Sequence, residues 1–217
     1  MRTFVVGDIH GAYKPLKKCM KKAGFDLKND RLICLGDVCD RGSNVKKAID
    51  YLLKVKNLIY VLGNHDLWAI KWAESGIIPD IWMSQGGAET VSSFPNGLSD
   101  THLKLLKTAH SYFIDNNKLF VHGGILSDRP IEDQDEKVFL WDRSLVAKAM
   151  HKKKKKKNSS ITEFEEVYVG HTPTQNFGSD TPINSCEVWL MDTGAGWKKR
   201  LSLMNVDTKE VFQSKIK

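Results

Sequence analysis

Thr3-Phe4-Val5-Val6-Gly7-Asp8-Ile9-His10-Gly11 opens the chain with an apolar, β-branched run that stops at a glycine and delivers a carboxylate and an imidazole two residues apart. A short run of this kind reads as a buried strand, and polar residues directly after its glycine sit at the strand's C-terminal end. The arrangement recurs twice: Leu32–Leu35 leads into Gly36-Asp37-Val38-Cys39-Asp40-Arg41-Gly42, and Leu58–Leu62 into Gly63-Asn64-His65-Asp66. Segments of helical character, Pro15–Ala23 and Val45–Val55, separate the three runs and give the strand–helix–strand order of a parallel α/β layer. Three adjacent parallel strands would bring all of these polar residues to one edge.

Further along, Lys118–Val121 runs into His122-Gly123-Gly124, Glu166–Val169 into Gly170-His171-Thr172, and Glu187–Met191 into Asp192-Thr193-Gly194. Any one of these endings has a plain explanation, since Asp after Gly is a common turn residue and Asn-His a common helix cap. Repetition argues against that explanation, because turn chemistry does not require histidine. Of the seven histidines, His10, His65, His122 and His171 stand just beyond strands, whereas His102, His110 and His151 lie in helical or loop contexts and receive no role.

The 217 residues suit one domain spanning 1–217. Leu67–Glu74 looks helical, and the stretch about 67–116 reads as a helical cap region inserted between core strands, with Gly-Gly and Pro-Asn-Gly signals and no strand alternation up to His110. Arg200–Val206 and Glu210–Gln213 alternate around an Asp-Thr-Lys turn, as a closing antiparallel hairpin does. The formal charge is +7, but Lys152 to Lys157 carry six of those charges, so the rest of the chain is close to neutral. That run is expected to be a mobile surface loop over about 151–160 rather than a nucleic-acid face. No apolar stretch approaches a membrane span, and no secretory leader is apparent. Cys19, Cys34, Cys39 and Cys186 form no CxxC pair and read as buried thiols. A cytoplasmic location follows as the expectation.

The three early motifs, followed by isolated histidines in the same order, resemble the phosphoprotein-phosphatase branch of the calcineurin-like metallophosphoesterases, with its signature GDxHG, GDxxDRG and GNH[DE]. The resemblance runs from Gly7 to Gly194. Gly170–Pro173 and Asp192–Ala195 match the GHTP and DTGA segments of small bacterial and bacteriophage serine/threonine protein phosphatases. It implies an α/β fold, a β-sandwich flanked by helices, with a dinuclear metal site at the strands' C-terminal ends.

It also implies the roles. Asp8, His10 and Asp37 would hold one divalent ion, and Asp37, Asn64, His122 and His171 the other, with Asp37 bridging. An oxygen and nitrogen ligand set suits two ions of manganese first, with iron, zinc, magnesium or nickel as alternatives. The nucleophile would be a hydroxide shared by both ions. His65 would protonate the leaving group, oriented by Asp40. Arg41, Asn64 and Arg143 would bind the substrate phosphoryl group; Trp141-Asp142-Arg143 resembles the W-x-R segment of the small phosphatases, a surface turn being the other reading. Asp192 either orients a ligating imidazole or closes a turn.

The resulting expectation is a hydrolase acting on phosphorylated protein or a small phosphoester. Asp66 departs from the usual Glu, and Gly63–Leu67, His122-Gly-Gly-Ile and Trp197 lean toward symmetrical diadenosine tetraphosphate hydrolases, the alternative. A polynucleotide phosphatase is a third reading. A non-enzymatic phosphate- or nucleic-acid-binding protein would leave six placed ligands without purpose.

Overall fold

The computed structural model describes residues 1–156 and 159–216. Among these residues, ten strands form two five-stranded sheets. The first contains β1 (Thr3–Val6), β2 (Arg31–Cys34), β3 (Asn57–Tyr60), β9 (Arg200–Asn205) and β10 (Val211–Lys215), in the order β10-β9-β1-β2-β3. β1, β2 and β3 are parallel, β9 runs antiparallel to β1, and β10 closes the expected hairpin on β9. The second contains β4 (Tyr112–Asp115), β5 (Lys118–Val121), β6 (Glu166–Val169), β7 (Ile183–Ser185) and β8 (Val188–Leu190), in the order β4-β5-β6-β8-β7 with β5, β6 and β8 parallel.

Strand side chains alternate between two cores, which explains why the runs are apolar throughout rather than amphipathic. Val5, Ile33, Phe120, Tyr168 and Trp189 face the space between the sheets, where the Phe120 and Tyr168 rings stack 4.8 Å apart. Phe4, Val6, Leu32 and Cys34 point the other way, into a core shared with α1 (Tyr13–Lys22) and α2 (Val45–Leu52). Leu119, Val121, Val167 and Val169 pack against α7 (Glu136–Trp141) and α8 (Ser144–Lys154). The α/β β-sandwich flanked by helices is therefore present.

Several elements differ from the sequence reading, among them the short β7, which no apolar run announced. α3 spans Asn64–Ser75 rather than starting at Leu67, because extended Gly63 is the N-cap and the Asp66 carboxylate accepts the Gly63 amide at 3.2 Å. The region over 67–116 holds α4 (Asp80–Ser84), α5 (Gly87–Ser93) and α6 (Asp100–Lys107), yet its end belongs to the second sheet as β4, whose four residues pair antiparallel with β5. The lysine run is helical as far as Lys154, since Leu145, Val146 and Ala149 anchor α8 and lysine propagates a helix well. Lys157 and Asn158 lie outside the described residues. Cys186 is half-buried, unlike the other three cysteines. No helix among the described residues is long and apolar enough to cross a membrane.

Candidate metal centre

Because the parallel strands of both sheets point their C-terminal ends to one side, the residues that follow them converge. Asp8 and His10 come from β1, Asp37 from β2, Asn64 and His65 from β3, His122 from β5 and His171 from β6. All seven are buried. Asp37 stands at the centre, its Oδ2 lying 3.4 Å from His122 Nε2, 3.7 Å from His10 Nε2 and 4.0 Å from His65 Nε2. Asp8 Oδ2 is 3.9 Å from His10 Nε2, and Asn64 Oδ1 is 2.9 Å from His122 Nε2. The six residues expected as ligands are thus brought together.

Their nitrogens are aimed inward by partners that only accept. His10 Nδ1 lies 2.7 Å from the Cys39 carbonyl and His122 Nδ1 2.7 Å from the Leu35 carbonyl; each Nδ1 must carry a proton, which turns both Nε2 atoms toward the carboxylates and leaves the Nε2 of neutral His10 with a free lone pair. His171 Nε2 is buried without a hydrogen-bond partner. An orphaned imidazole nitrogen on a ring grouped with the Asp37 carboxylate and the His122 imidazole fits a divalent cation. Asp37 belongs to both groups of side chains whose ligand atoms lie close enough to share an ion, one with His10 and His65, the other with His122 and His171. Its place in both matches a bridging ligand.

Backbone geometry here is unusual. His10, Asp37, Asp40, Arg41 and His171 all have positive φ, between 44° and 70°, a region that costs side-chain-bearing residues on the order of 1 kcal/mol each and that clusters where function requires it. Space is equally tight: a Cβ on Gly63 would collide with the Asp37 carboxylate, and one on Gly170 with Asp8 Oδ1. Asp66 explains part of how the strain is held. Its fully buried carboxylate accepts the amides of Asp37 at 2.8 Å, Val38 at 3.1 Å and Cys39 at 3.2 Å, together with the Tyr60 hydroxyl at 2.8 Å. Asp in place of Glu here serves the Asp37 turn.

Charge in the cluster divides sharply. Burial drives His10 down to about 3 and His171 to about 2, so both imidazoles are neutral at ordinary pH. Burial works against a charge on His122 as well, but the neighbouring Asp37 outweighs it and raises His122 to about 10. The same partnership, reinforced by His65, holds Asp37 well below the usual carboxylate range despite its burial. A ligating imidazole must be neutral, so metal uptake is expected to displace at least one proton, from His122 and from Asp8 wherever burial keeps that carboxyl protonated. Calorimetric titration of Mn²⁺ into chelator-stripped protein, in buffers of different ionisation enthalpy, counts it. Apparent affinity should rise at least about tenfold per pH unit between roughly pH 6 and 9; an affinity independent of pH would contradict the pairing.

Next to the cluster, His65 Nδ1 lies 2.6 Å from Asp40 Oδ2. Asp40 is fully buried and is held by Thr90 Oγ1, which donates to Oδ1 at 2.5 Å, and by Trp82 Nε1, which donates to Oδ2 at 2.8 Å. Arg41 donates from Nη2 toward His65 Nε2 at 3.2 Å. A guanidinium can only donate, so Nε2 accepts and Nδ1 carries the proton in this state. The Arg41 guanidinium also lies over the Trp197 ring at 4.4 Å and donates to the Gln85 carbonyl at 3.3 Å. Trp82, Thr90 and Gln85 escape a reading of the sequence alone. Asp192 Oδ1 accepts the Gly194 amide at 2.9 Å, the arrangement of a turn.

Asp8, His10, Asp37, Arg41, Asn64, His65 and His171 line a cleft of about 650 Å³ that also includes Arg143, Trp68, Trp141 and Trp197. Arg143, like Arg41, thus stands where a ligand in the cleft would meet it. His102 stays apart, bonded at 2.7 Å to Asp50 on α2.

The profile of the calcineurin-like phosphoesterase family matches residues 1–196 of the chain. A symmetrical bis(5'-nucleosyl)-tetraphosphatase of Pseudomonas fluorescens is 43% identical over 68 residues, which are 31% of this chain and 24% of that protein. The chain therefore spans about a quarter of the length of the curated relatives it matches. Among solved structures, a candidate diadenosine tetraphosphatase superposes with a TM-score of 0.72 at 18% identity, covering 99% of this chain and 93% of the other. A cold-active protein-tyrosine phosphatase of a psychrophilic Shewanella superposes at 0.66 with 13% identity, covering 100% and 80%. At these identities the structural likeness concerns the fold.

Proposed function

This chain belongs to the calcineurin-like phosphoesterase family, and from that premise we propose that it is a metal-dependent phosphomonoesterase that cleaves alkyl phosphates, phosphoserine and phosphothreonine in proteins foremost. The observation that carries this reading is the buried Asp40–His65 pair, 2.6 Å apart at the edge of the ligand cluster. A general acid is useful in proportion to the basicity of the leaving group. The alkoxide of serine needs a proton badly, whereas the phosphate released from a phosphoanhydride does not. A dyad held by Trp82 and Thr90 is thus machinery for an ester.

Two divalent ions bound in this site, manganese foremost, would supply Lewis acidity toward the phosphoryl oxygens and toward water; Asp8, His10 and Asp37 would hold one, and Asp37, Asn64, His122 and His171 the other. The protein's own groups do the rest. Arg41 and Arg143, lining the cleft, bind the phosphoryl oxygens, with Asn64 beside them. Arg41 leaves His65 Nε2 to do so, which frees that nitrogen to hold a proton and pass it to the ester oxygen. Asp40 stabilises the imidazolium from Nδ1.

A second reading, hydrolysis of dinucleoside polyphosphates, is favoured by the local identity to tetraphosphatases and by the three indoles lining the cleft, which offer flat surfaces to a nucleobase. One panel separates the two. With Mn²⁺ restored after chelation, phosphoserine and phosphothreonine peptides should turn over faster than diadenosine tetraphosphate at equal concentration. A tenfold or greater advantage of the dinucleotide would replace the first reading with the second, and full activity in a chelated, metal-free sample would refute both.

A further inference from the structure

A second groove, of about 560 Å³, adjoins the catalytic cleft; His10 and Arg41 line both spaces. Lys14 and Lys18 line it from α1, Lys198 from the loop that follows Trp197, and Lys215 from β10. All four side chains are exposed. Lys14, Lys18, Lys198 and Lys215 have no carboxylate partner, and Glu89 is the one carboxylate among the described residues that line the groove.

Four unpaired ammonium groups around one depression repel each other, and no fold contact requires them there. In a chain that is otherwise near neutral outside its lysine run, such a concentration makes a local positive potential that a substrate anion can answer. We propose that this groove binds acidic side chains flanking the phosphorylated residue of a peptide substrate, whose phosphoryl group lies in the adjoining cleft beyond Arg41. This rests on the phosphomonoesterase reading above. The spacing supports an extended acidic chain over a compact anion. Lys14 and Lys18, four residues apart on a helix, are separated along its axis by about 6 Å, close to the roughly 6.6–7 Å between alternate residues of an extended peptide. Lysine, a mobile point charge rather than a planar fork, suits carboxylates at variable depth.

The test uses the full chain loaded with Mn²⁺ and two phosphoserine peptides that differ only in having Glu or Gln at the positions flanking the phosphoserine. The native protein should show a kcat/KM about tenfold higher on the Glu peptide, declining as salt is added. Substituting Lys14→Ala, Lys18→Ala, Lys198→Ala and Lys215→Ala together should erase that preference and leave nitrophenyl phosphate turnover unchanged. Equal kcat/KM for both peptides in the native protein, or a preference that survives in the variant, overturns the proposal. A binding arm makes the result independent of catalysis: a fluorescein-labelled, unphosphorylated Glu-rich peptide should raise its anisotropy with metal-free native protein and not with the variant. Lack of binding to the native protein, or capture of inorganic tripolyphosphate but not of the peptide, likewise overturns it. If nitrophenyl phosphate and both phosphopeptides are untouched while the labelled peptide binds, the activity reading fails and the groove stands.

Discussion

Replacing Asp37 by asparagine is expected to yield a folded protein that retains neither of its metals and hydrolyses no phosphoester. Asn keeps the shape, and its carbonyl can still accept the His65 amide that Asp37 Oδ1 accepts at 2.9 Å. The other carboxylate oxygen is the group that cannot be spared. It lies within 3.4 to 4.0 Å of the Nε2 atoms of His122, His10 and His65, and Asn would put an amide where that anion stood. If metals contribute several kcal/mol to the transition state, their loss should depress turnover by about a thousandfold or more, given 1.36 kcal/mol per tenfold. Nitrophenyl phosphate and phosphoserine peptides should fall together, since the ions act on the phosphoryl group common to both. Metal analysis and both rates on the same preparation check it; two ions retained with normal turnover would remove Asp37 from the bridging position.

The convergence of Asp8, His10, Asp37, Asn64, His65, His122 and His171 was legible because each follows a strand directly, and parallel strands of a sheet must end on the same side. Local order sufficed for that inference. It could not supply the partners of Asp40. Trp82 and Thr90 are 42 and 50 residues away in sequence, on α4 and α5, which have five and seven residues, too few to show a helical period. Gln85, which steadies Arg41, sits in the loop between them for the same reason. Nor does the sequence reveal positive φ at His10, Asp37, Asp40, Arg41 and His171, since glycine is the usual marker of that conformation and none of these is glycine. The cost is borne by distant contacts, notably the Asp66 carboxylate, whose hydrogen bonds to the Asp37–Cys39 amides are side chain to backbone and leave no periodic trace. β4 was missed because four residues ending a helical region carry little alternation, and its identity comes from pairing with β5.

Replacing His65 by asparagine should divide substrates that Asp37→Asn treats alike. His65 is buried, its Nδ1 is 2.6 Å from Asp40, and its Nε2 faces the cleft beside Arg41. As a proton donor it would matter most where the departing oxygen is most basic, and such donors contribute typically about 10²- to 10⁴-fold. The variant should therefore lose roughly that much on phosphoserine peptides while keeping a much larger fraction of its rate on nitrophenyl phosphate, whose phenolate departs readily. Gly63 rather than His65 caps α3, so a loss cannot be assigned to the cap. One competing role remains within the geometry, because His65 can share an ion with His10 and Asp37. Metal content separates the roles: a proton donor's loss leaves both ions in place, whereas a ligand's loss releases one and depresses both substrates equally. Adding Asp40→Asn sharpens the comparison. If Asp40 acts only through His65, that change should cost far less in the His65→Asn background than in the native protein, and full additivity of the two losses would show that the pair does not act as a unit.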